Sequence, residues 1–178
     1  MKGIIFNLLE NAIAEEFGEA AFERVLDDAG SDGVYTSVGS YPDDDLVRLI
    51  EATARLRDQD MQDTLRWLGR AAIPDLATAY PEFFDGHRDT RSFILTLNDV
   101  IHPEVRKLYA GAGCPHFQFD TSRPDRLLLG YRSPRQLCRL AEGFVQGASH
   151  QYGQQAKIEH LSCMLDGESI CRILVQWI

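Results

Sequence analysis

The spacing of the apolar residues changes once along this chain, and that change constrains the fold more than any other feature. Up to Gly111, apolar residues recur every three or four positions, as Ile5 and Leu9 do, which is typical of amphipathic helices. Beyond Gly111, short stretches have the two-residue period of strands, as Leu127 and Leu129 do. The sequence therefore predicts an α+β fold, with helices first and a small antiparallel sheet packed on helices later.

Glycine, proline and acidic residues indicate where the elements begin and end. We predict N-terminal helices over residues 4–17, 20–29 and 43–56. We predict strands over residues 116–119, 126–131 and 171–177. Another helix begins at Met61; Gly69 is predicted to interrupt it, and Pro74 to start a new helix. Pro134 suits the first turn of a long helix between the second and third strands.

The composition excludes several classes of protein. The chain has 178 residues and no repeat or linker, which fits one domain. Its 18 basic and 27 acidic residues give a net charge of -9, which argues against a nucleic-acid partner or an anionic membrane. No apolar run approaches the ~20 residues of a membrane span, and the N-terminus lacks a signal-cleavage pattern. Four cysteines in such a chain indicate a reducing cytoplasm, with thiols or metal ligands in preference to disulfides.

His102 is the first candidate ligand. It lies beside a helical stripe that is predicted to be buried and consists of Phe93, Leu97, Ile101 and Leu108. An imidazole there can bind a metal through one nitrogen while Asn98 or Asp99 accepts a hydrogen bond from the other. The alternative is a core histidine that hydrogen-bonds a backbone carbonyl. Pro103 either kinks this helix or begins a new one.

A second motif lies where the second strand ends. Tyr131 and Ser133 offer hydroxyl donors, and Arg135 offers a planar guanidinium suited to a carboxylate. Together they could hold a pair of carboxylates, such as the propionates of a porphyrin. The alternative is a purely structural role at a strand end followed by a helix.

The two motifs together resemble the haem nitric oxide/oxygen binding family, H-NOX, over essentially the full length. The resemblance is carried by residues 1–5 (MKGII), the DVIH…KLY segment around His102, Pro115 between Cys114 and His116, Tyr131-x-Ser133-x-Arg135, and Ala141-Glu142-Gly143. A histidine followed 29 residues later by Tyr-x-Ser-x-Arg is a specific signature. Pro103, directly after that histidine, departs from the family pattern.

The resemblance implies a single H-NOX domain over residues 1–178. A helical subdomain would cover about 1–60 and an α/β subdomain about 61–178, with haem b between them. His102 would be the proximal ligand of the haem iron. The propionates would be bound by Tyr131, Ser133 and Arg135. Pro115 would distort the macrocycle. Pro115 could instead be a turn proline. The distal pocket would be lined by residues that could equally be ordinary core: Ile5, Leu9, Leu76, Leu140 and Phe144.

The resemblance also predicts the gas. Oxygen-binding relatives place a distal tyrosine where this chain has Leu140, which cannot donate a hydrogen bond to dioxygen. We therefore expect a sensor of nitric oxide, also able to bind carbon monoxide, that excludes dioxygen, unless Tyr152 reaches the pocket. Nitric oxide would break the bond to His102 and shift the helices, with Gly69 and Gly143 acting as hinges or simply permitting close packing.

The expected output is signalling without catalysis. Because the chain ends at Ile178 without an enzymatic module, we expect a separate partner. By resemblance it is a histidine kinase or a cyclic-di-GMP synthase or phosphodiesterase in a bacterium. The alternatives are a haem carrier or storage module, a thiol or zinc redox sensor, and a structural partner-binding domain.

A second candidate site could bind zinc. Its ligands would be Cys138, His160, Cys163 and Cys171. The same residue types recur in a subset of H-NOX proteins, in which they bind zinc and respond to oxidation. The alternative is a set of buried, inert thiols. Cys114 is predicted to be a core thiol.

Overall fold

The structure, a computed structural model, describes residues 1–178 and contains seven α-helices and four strands. The helices are α1 Gly3–Phe17, α2 Ala20–Ala29, α3 Asp43–Arg57, α4 Met61–Ala79, α5 Thr90–Leu95, α6 His102–Leu108 and α7 Cys138–Gln151. The strands are β1 His116–Asp120, β2 Arg126–Arg132, β3 Ala156–Ser162 and β4 Cys171–Trp177. No helix combines the length and the hydropathy that a membrane-spanning segment requires.

The four strands form one antiparallel sheet in the order β1-β2-β4-β3. Leu127 on β2 and Ile158 on β3 both pair with Val175 on the central strand β4. The sequence pattern missed β3. This strand lies at the sheet edge, and its inward positions include the polar residues His160 and Ser162, so its alternation is weak. The α+β class is confirmed.

The apolar side chains form two clusters that meet at α4 and α7. One cluster joins α1, α2 and α3 to the first half of α4, and includes Leu9, Leu49 and Leu68. The other joins the second half of α4 to α5, α7 and the sheet, and includes Ile73 and Leu127. The clusters therefore divide within α4, while a subdomain boundary near residue 60 stays a prediction.

Helix α4 is continuous, so the predicted break at Gly69 and new start at Pro74 are wrong. Packing against α7 explains the continuity. A Cβ atom on Gly69 would lie 2.3 Å from the Leu140 carbonyl oxygen, and one on Gly143 would lie 2.0 Å from the Arg66 carbonyl oxygen. Here glycine permits two helix backbones to approach, and the tertiary contact outweighs the weak local propensity.

The segment before His102 differs from the predicted stripe. A π-helical turn over Leu97–Ile101 precedes α6, which begins at His102 with Pro103 in its first turn. Proline is compatible with that position because its missing amide would have no helical partner. The wider turn shifts the helical phase, so Leu108 is 52% exposed and Tyr109 is buried in its place.

The start of α7 is also later than predicted. Pro134 lies in a turn, and Gln136 adopts a left-handed conformation with φ of 53°. Because an α-helix cannot include such a residue, the helix begins only at Cys138. This turn presents residues 133–137 toward Met1, which precedes α1, and toward the start of α3, at the rim of the cavity described below.

Candidate functional site

A cavity of about 400 Å³ lies among α1, α4, α6 and α7, and 26 of its 34 lining residues are hydrophobic. Most of the predicted haem-site residues line it: Ile5, Leu76, His102, Pro115, Tyr131, Ser133, Arg135, Leu140 and Phe144. Leu9 does not, because its side chain is fully buried in the N-terminal cluster, whereas Ile4 and Leu8 do line the cavity. Its size and apolar walls are those of a small-molecule or cofactor site.

His102 provides an imidazole in the cavity wall. Burial and the positive charge of Arg106 lower the pKa of His102 to about 4, although hydrogen bonding to the Pro115 backbone opposes the shift. The ring is therefore neutral at pH 7 and has a lone pair for a metal. The Phe117 ring stacks at a centroid distance of 5.9 Å and helps to orient it.

The predicted pairing of His102 with Asn98 or Asp99 is wrong. The Asn98 amide bonds the backbone of β1 instead: its Nδ2 donates to the Phe117 carbonyl at 2.6 Å, and its Oδ1 accepts from the Phe117 amide at 3.2 Å. The polar group that acts on the imidazole is the backbone of Pro115, which favours the protonated ring.

The three residues of the strand-end motif meet at the rim of the cavity. Tyr131 is buried, and its hydroxyl accepts from the Leu137 amide at 3.1 Å, which leaves its own proton to donate. The Ser133 hydroxyl accepts from the Arg135 amide at 3.3 Å. The Arg135 guanidinium donates to the carboxylate of Asp43 at 2.8 Å and to the Gly113 carbonyl at 2.8 Å. The arginine is thus held at the rim by α3 and by the loop before β1.

Two tyrosines that the sequence analysis did not predict also line the cavity. The hydroxyls of Tyr80, at the end of α4, and Tyr109, at the end of α6, hydrogen-bond each other. Burial and the contact with Tyr80 raise the pKa of Tyr109. Tyr109 belongs to the KLY segment, but no sequence signal indicated Tyr80, because the pairing joins residues 29 positions apart.

The wall formed by α7 offers no hydrogen-bond donor at the predicted position. Leu140 and Phe144 of this helix face the cavity. Tyr152 is not among the lining residues, and its hydroxyl donates to the Phe84 carbonyl at 2.9 Å.

The four predicted zinc ligands converge in a second place, between the start of α7 and the sheet. The ligand atoms of Cys138, His160, Cys163 and Cys171 all lie within 4.8 Å of one another. The Cys138 and Cys163 sulfurs are 3.5 Å apart, and those of Cys163 and Cys171 are 3.8 Å apart. Two sulfurs on one tetrahedral zinc lie roughly 3.8 Å apart, so the spacing fits the metal.

The imidazole of His160 in this cluster has one ring nitrogen without a hydrogen-bond partner. The Nε2 atom of His160 is buried and has no hydrogen-bond partner. A buried ring nitrogen without a partner is costly unless it has a proton acceptor or a metal. None of the cysteines is in a disulfide, and Cys114 lies apart, in the wall of the larger cavity.

Comparison with known proteins gives consistent results. A family described as Haem-NO-binding matches residues 2–160. An H-NOX protein from Shewanella oneidensis, solved in its Fe(II)NO state, is 32% identical with a TM-score of 0.92, over 100% of this chain and 99% of that one. No curated protein matched the chain.

Two more distant structures support the fold alone. An unliganded Fe(II) H-NOX protein from K. algicida is 23% identical, with a TM-score of 0.86 over 100% of this chain and 97% of that one. An oxygen-binding H-NOX domain related to soluble guanylate cyclases is 20% identical, with a TM-score of 0.83 over 99% and 95%. Family match, identity and fold agree, and the chain belongs to the Haem-NO-binding (H-NOX) family of haem-based gas sensors.

Proposed function

We propose that this protein is a nitric oxide sensor that binds haem b in the large cavity and signals to a separate protein without catalysing a reaction itself. The observation that carries the proposal is the neutral imidazole of His102 in an apolar wall, with Tyr131, Ser133 and Arg135 together at the rim. His102 would hold the iron of haem through its imidazole, and the bound group would supply a ferrous iron able to bind a diatomic gas.

The proximal role belongs to His102. It is the first residue of α6, a helix of seven residues none of which is fully buried. Such a helix has few packing contacts to hold it, so release of the imidazole would free α6 to move. Pro115, which lines the same cavity as His102, is placed to press on the macrocycle.

The propionate role belongs to the rim. Tyr131 and Ser133 present hydroxyls, and Arg135 presents a guanidinium that Asp43 and the Gly113 carbonyl already orient. An arginine with a fixed orientation loses less side-chain entropy when it binds a carboxylate.

The distal wall supports nitric oxide and carbon monoxide over dioxygen. Bound dioxygen is polar and is stabilised by a hydrogen-bond donor, which Leu140 cannot provide. The hydroxyl of Tyr152 is engaged with the Phe84 carbonyl. We therefore expect the ferrous protein to give the same absorption spectrum in air-saturated as in oxygen-free buffer, before slow oxidation; a stable dioxygen-dependent spectrum would contradict this selectivity.

Absorption spectroscopy of the haem-reconstituted protein tests the proposal as a whole. The wild type should show a Soret band that shifts when nitric oxide is added. His102→Gly should lose the resting spectrum and regain it with free imidazole. His150→Ala, an exposed histidine on α7, is the matched control and should behave as wild type. A wild type that stays colourless with haem, or a His102→Gly spectrum unchanged from wild type, overturns the proposal.

The family resemblance supports a separate signalling partner. We propose a cytoplasmic, bacterial histidine kinase or cyclic-di-GMP synthase or phosphodiesterase. The test measures kinase autophosphorylation, or cyclic-di-GMP turnover, for the proteins encoded beside this one, with ferrous and with nitric oxide-loaded sensor. Rates that do not respond to either form would favour the haem carrier.

A second function is favoured by the cysteine and histidine cluster. We propose that Cys138, His160, Cys163 and Cys171 bind zinc, and that oxidation of the thiols releases it. Metal analysis should find one zinc per wild-type chain and much less in Cys163→Ala. Cys114→Ala removes a thiol outside the cluster and should retain the metal. Undiminished zinc in Cys163→Ala would show that this cysteine is not a ligand.

A further inference from the structure

We propose that Glu142 is a positioning residue for the zinc site: its carboxylate fixes the tautomer and orientation of His160 so that Nε2 faces the three thiols. This inference rests on the proposed zinc binding and adds a residue that the ligand set does not contain. Glu142 lies on α7, one turn after Cys138, and its side chain is buried.

The hydrogen bonds of the His160 ring support this role. Its Nδ1 lies 3.1 Å from the Oε2 atom of Glu142. If Nδ1 carries the proton and donates it to the carboxylate, Nε2 has a free lone pair. Nε2 is the buried atom without a partner, and His160 belongs to the cluster whose ligand atoms lie within 4.8 Å of one another. A carboxylate behind a ligating histidine is a common arrangement at zinc sites.

The other neutral tautomer fits less well. The Nη1 atom of Arg139 lies 3.0 Å from the Nδ1 atom of His160 and could donate to it. In that case Nε2 would carry a buried proton with no acceptor, and the lone pair of Nδ1 would face the Glu142 carboxylate at 3.1 Å. Arg139 instead has a good acceptor in Glu142 Oε2 at 2.8 Å. The geometry therefore favours a proton on Nδ1.

Two arginines hold the carboxylate in place. Arg139, on the same helix, bonds Oε2, and the Nε atom of Arg66 on α4 donates to Oε1 at 2.9 Å. Both oxygens of Glu142 are thus paired, which is what a buried carboxylate requires. With its position set from two helices, Glu142 can hold the His160 ring in one orientation before a metal arrives.

The first test measures zinc retention by the haem-reconstituted protein during dialysis against graded chelator, followed by elemental analysis. Glu142→Gln should bind zinc about 10- to 100-fold more weakly than wild type, as is typical when the hydrogen-bond partner of a metal ligand is removed. Glu142→Asp keeps the charge, and its zinc affinity should lie between those of wild type and Glu142→Gln. Glu159→Gln removes an exposed carboxylate next to His160 on β3 and should not change the affinity.

A double-mutant cycle separates positioning from general support of the fold. If Glu142 acts through the imidazole, Glu142→Gln should cause no further loss in a His160→Ala background, but a full loss in a Cys171→Ala background. An equal loss in both backgrounds, or no loss in the wild-type background, overturns the proposal. If Glu142→Gln does not fold, the same cycle is run with Glu142→Asp.

A zinc-edge X-ray absorption spectrum provides an independent readout. Wild type should show imidazole outer-shell scattering beside the sulfur shell, and Glu142→Gln should show it weakened. Unchanged imidazole scattering would contradict the positioning role. A wild type that binds no zinc would instead contradict the zinc proposal itself, so the two failures are distinguishable.

Discussion

Asp43 is the residue that connects the N-terminal ammonium group to the rim of the large cavity. Its carboxylate accepts from the N-terminal ammonium at 2.6 Å and from Arg135 at 2.8 Å. Burial opposes ionisation of Asp43, but these two hydrogen bonds outweigh it and lower the pKa. A carboxylate with a lowered pKa stabilises the fold above its unfolded pKa of 3.8, and this contribution is lost as pH falls through the folded value.

Asp43→Asn should therefore reduce stability more at pH 7 than at pH 3. Because the side chain of Asp43 is 46% exposed, solvent screens these pairs and the loss should not exceed about 1 kcal/mol. The urea midpoints of wild type and variant at the two pH values measure this. Asp44→Asn, at the adjacent position in the first turn of α3, is the control. A difference that persists undiminished at pH 3 would show that the ion pairs are not its cause.

The hydroxyl pair of Tyr80 and Tyr109 makes a different prediction at the same scale. Each hydroxyl is the other's partner, and Tyr109 is buried. Tyr80→Phe and Tyr109→Phe should each lower the free energy of unfolding by about 1 kcal/mol. The double variant should lose little more than either single one, because the same bond is removed. Losses that simply add would show that the two hydroxyls act independently.

Among the elements, the crossing of α4 and α7 decides how the two apolar clusters join. Gly143→Ala would place a methyl group 2.0 Å from the Arg66 carbonyl oxygen, which is backbone and cannot move alone. We expect a loss of about 1–3 kcal/mol, as for other overpacked sites. Gly86→Ala, where nothing lies within 4 Å of the added atom, should be close to neutral. Thermal unfolding measures the stability of both variants. If Gly143→Ala is as stable as Gly86→Ala, the packing role of Gly143 is contradicted.

The same elements show how far the sequence alone could lead. Periodicity was enough for α1, α2 and α3, and the family resemblance carried by the histidine and the Tyr-x-Ser-x-Arg motif indicated the cavity residues on α6 and at the end of β2. Sequence patterns were not enough where contacts between residues distant in the chain override the local signals. The continuity of α4 through Gly69 depends on α7, and the hydrogen bond between Tyr80 and Tyr109 depends on two helix ends that only the fold brings together. The turn at Gln136 was not predicted because glutamine rarely adopts a positive φ.

For the whole molecule, the two apolar clusters contribute unequally to the cavity wall. Helices α2 and α3 belong to the N-terminal cluster and contribute little to the cavity wall, whereas α6 contributes His102, Val105 and Leu108. Ligand binding to the folded state stabilises most the parts that open to release it. The proposed release of His102 should therefore be visible as a local change in α6.

Hydrogen exchange of the ferrous protein, with and without nitric oxide, measures that change. The amides of α6 should exchange faster once nitric oxide is bound, because a helix with no fully buried residue loses its axial tether. The central strand β4, paired on both sides, should exchange equally in both states. His102→Gly, given haem and free imidazole, has no tether between iron and helix, so nitric oxide should leave its α6 unchanged. If nitric oxide also accelerates exchange of α6 in that variant, or does not accelerate it in the wild type, the motion of α6 does not depend on the bond to His102.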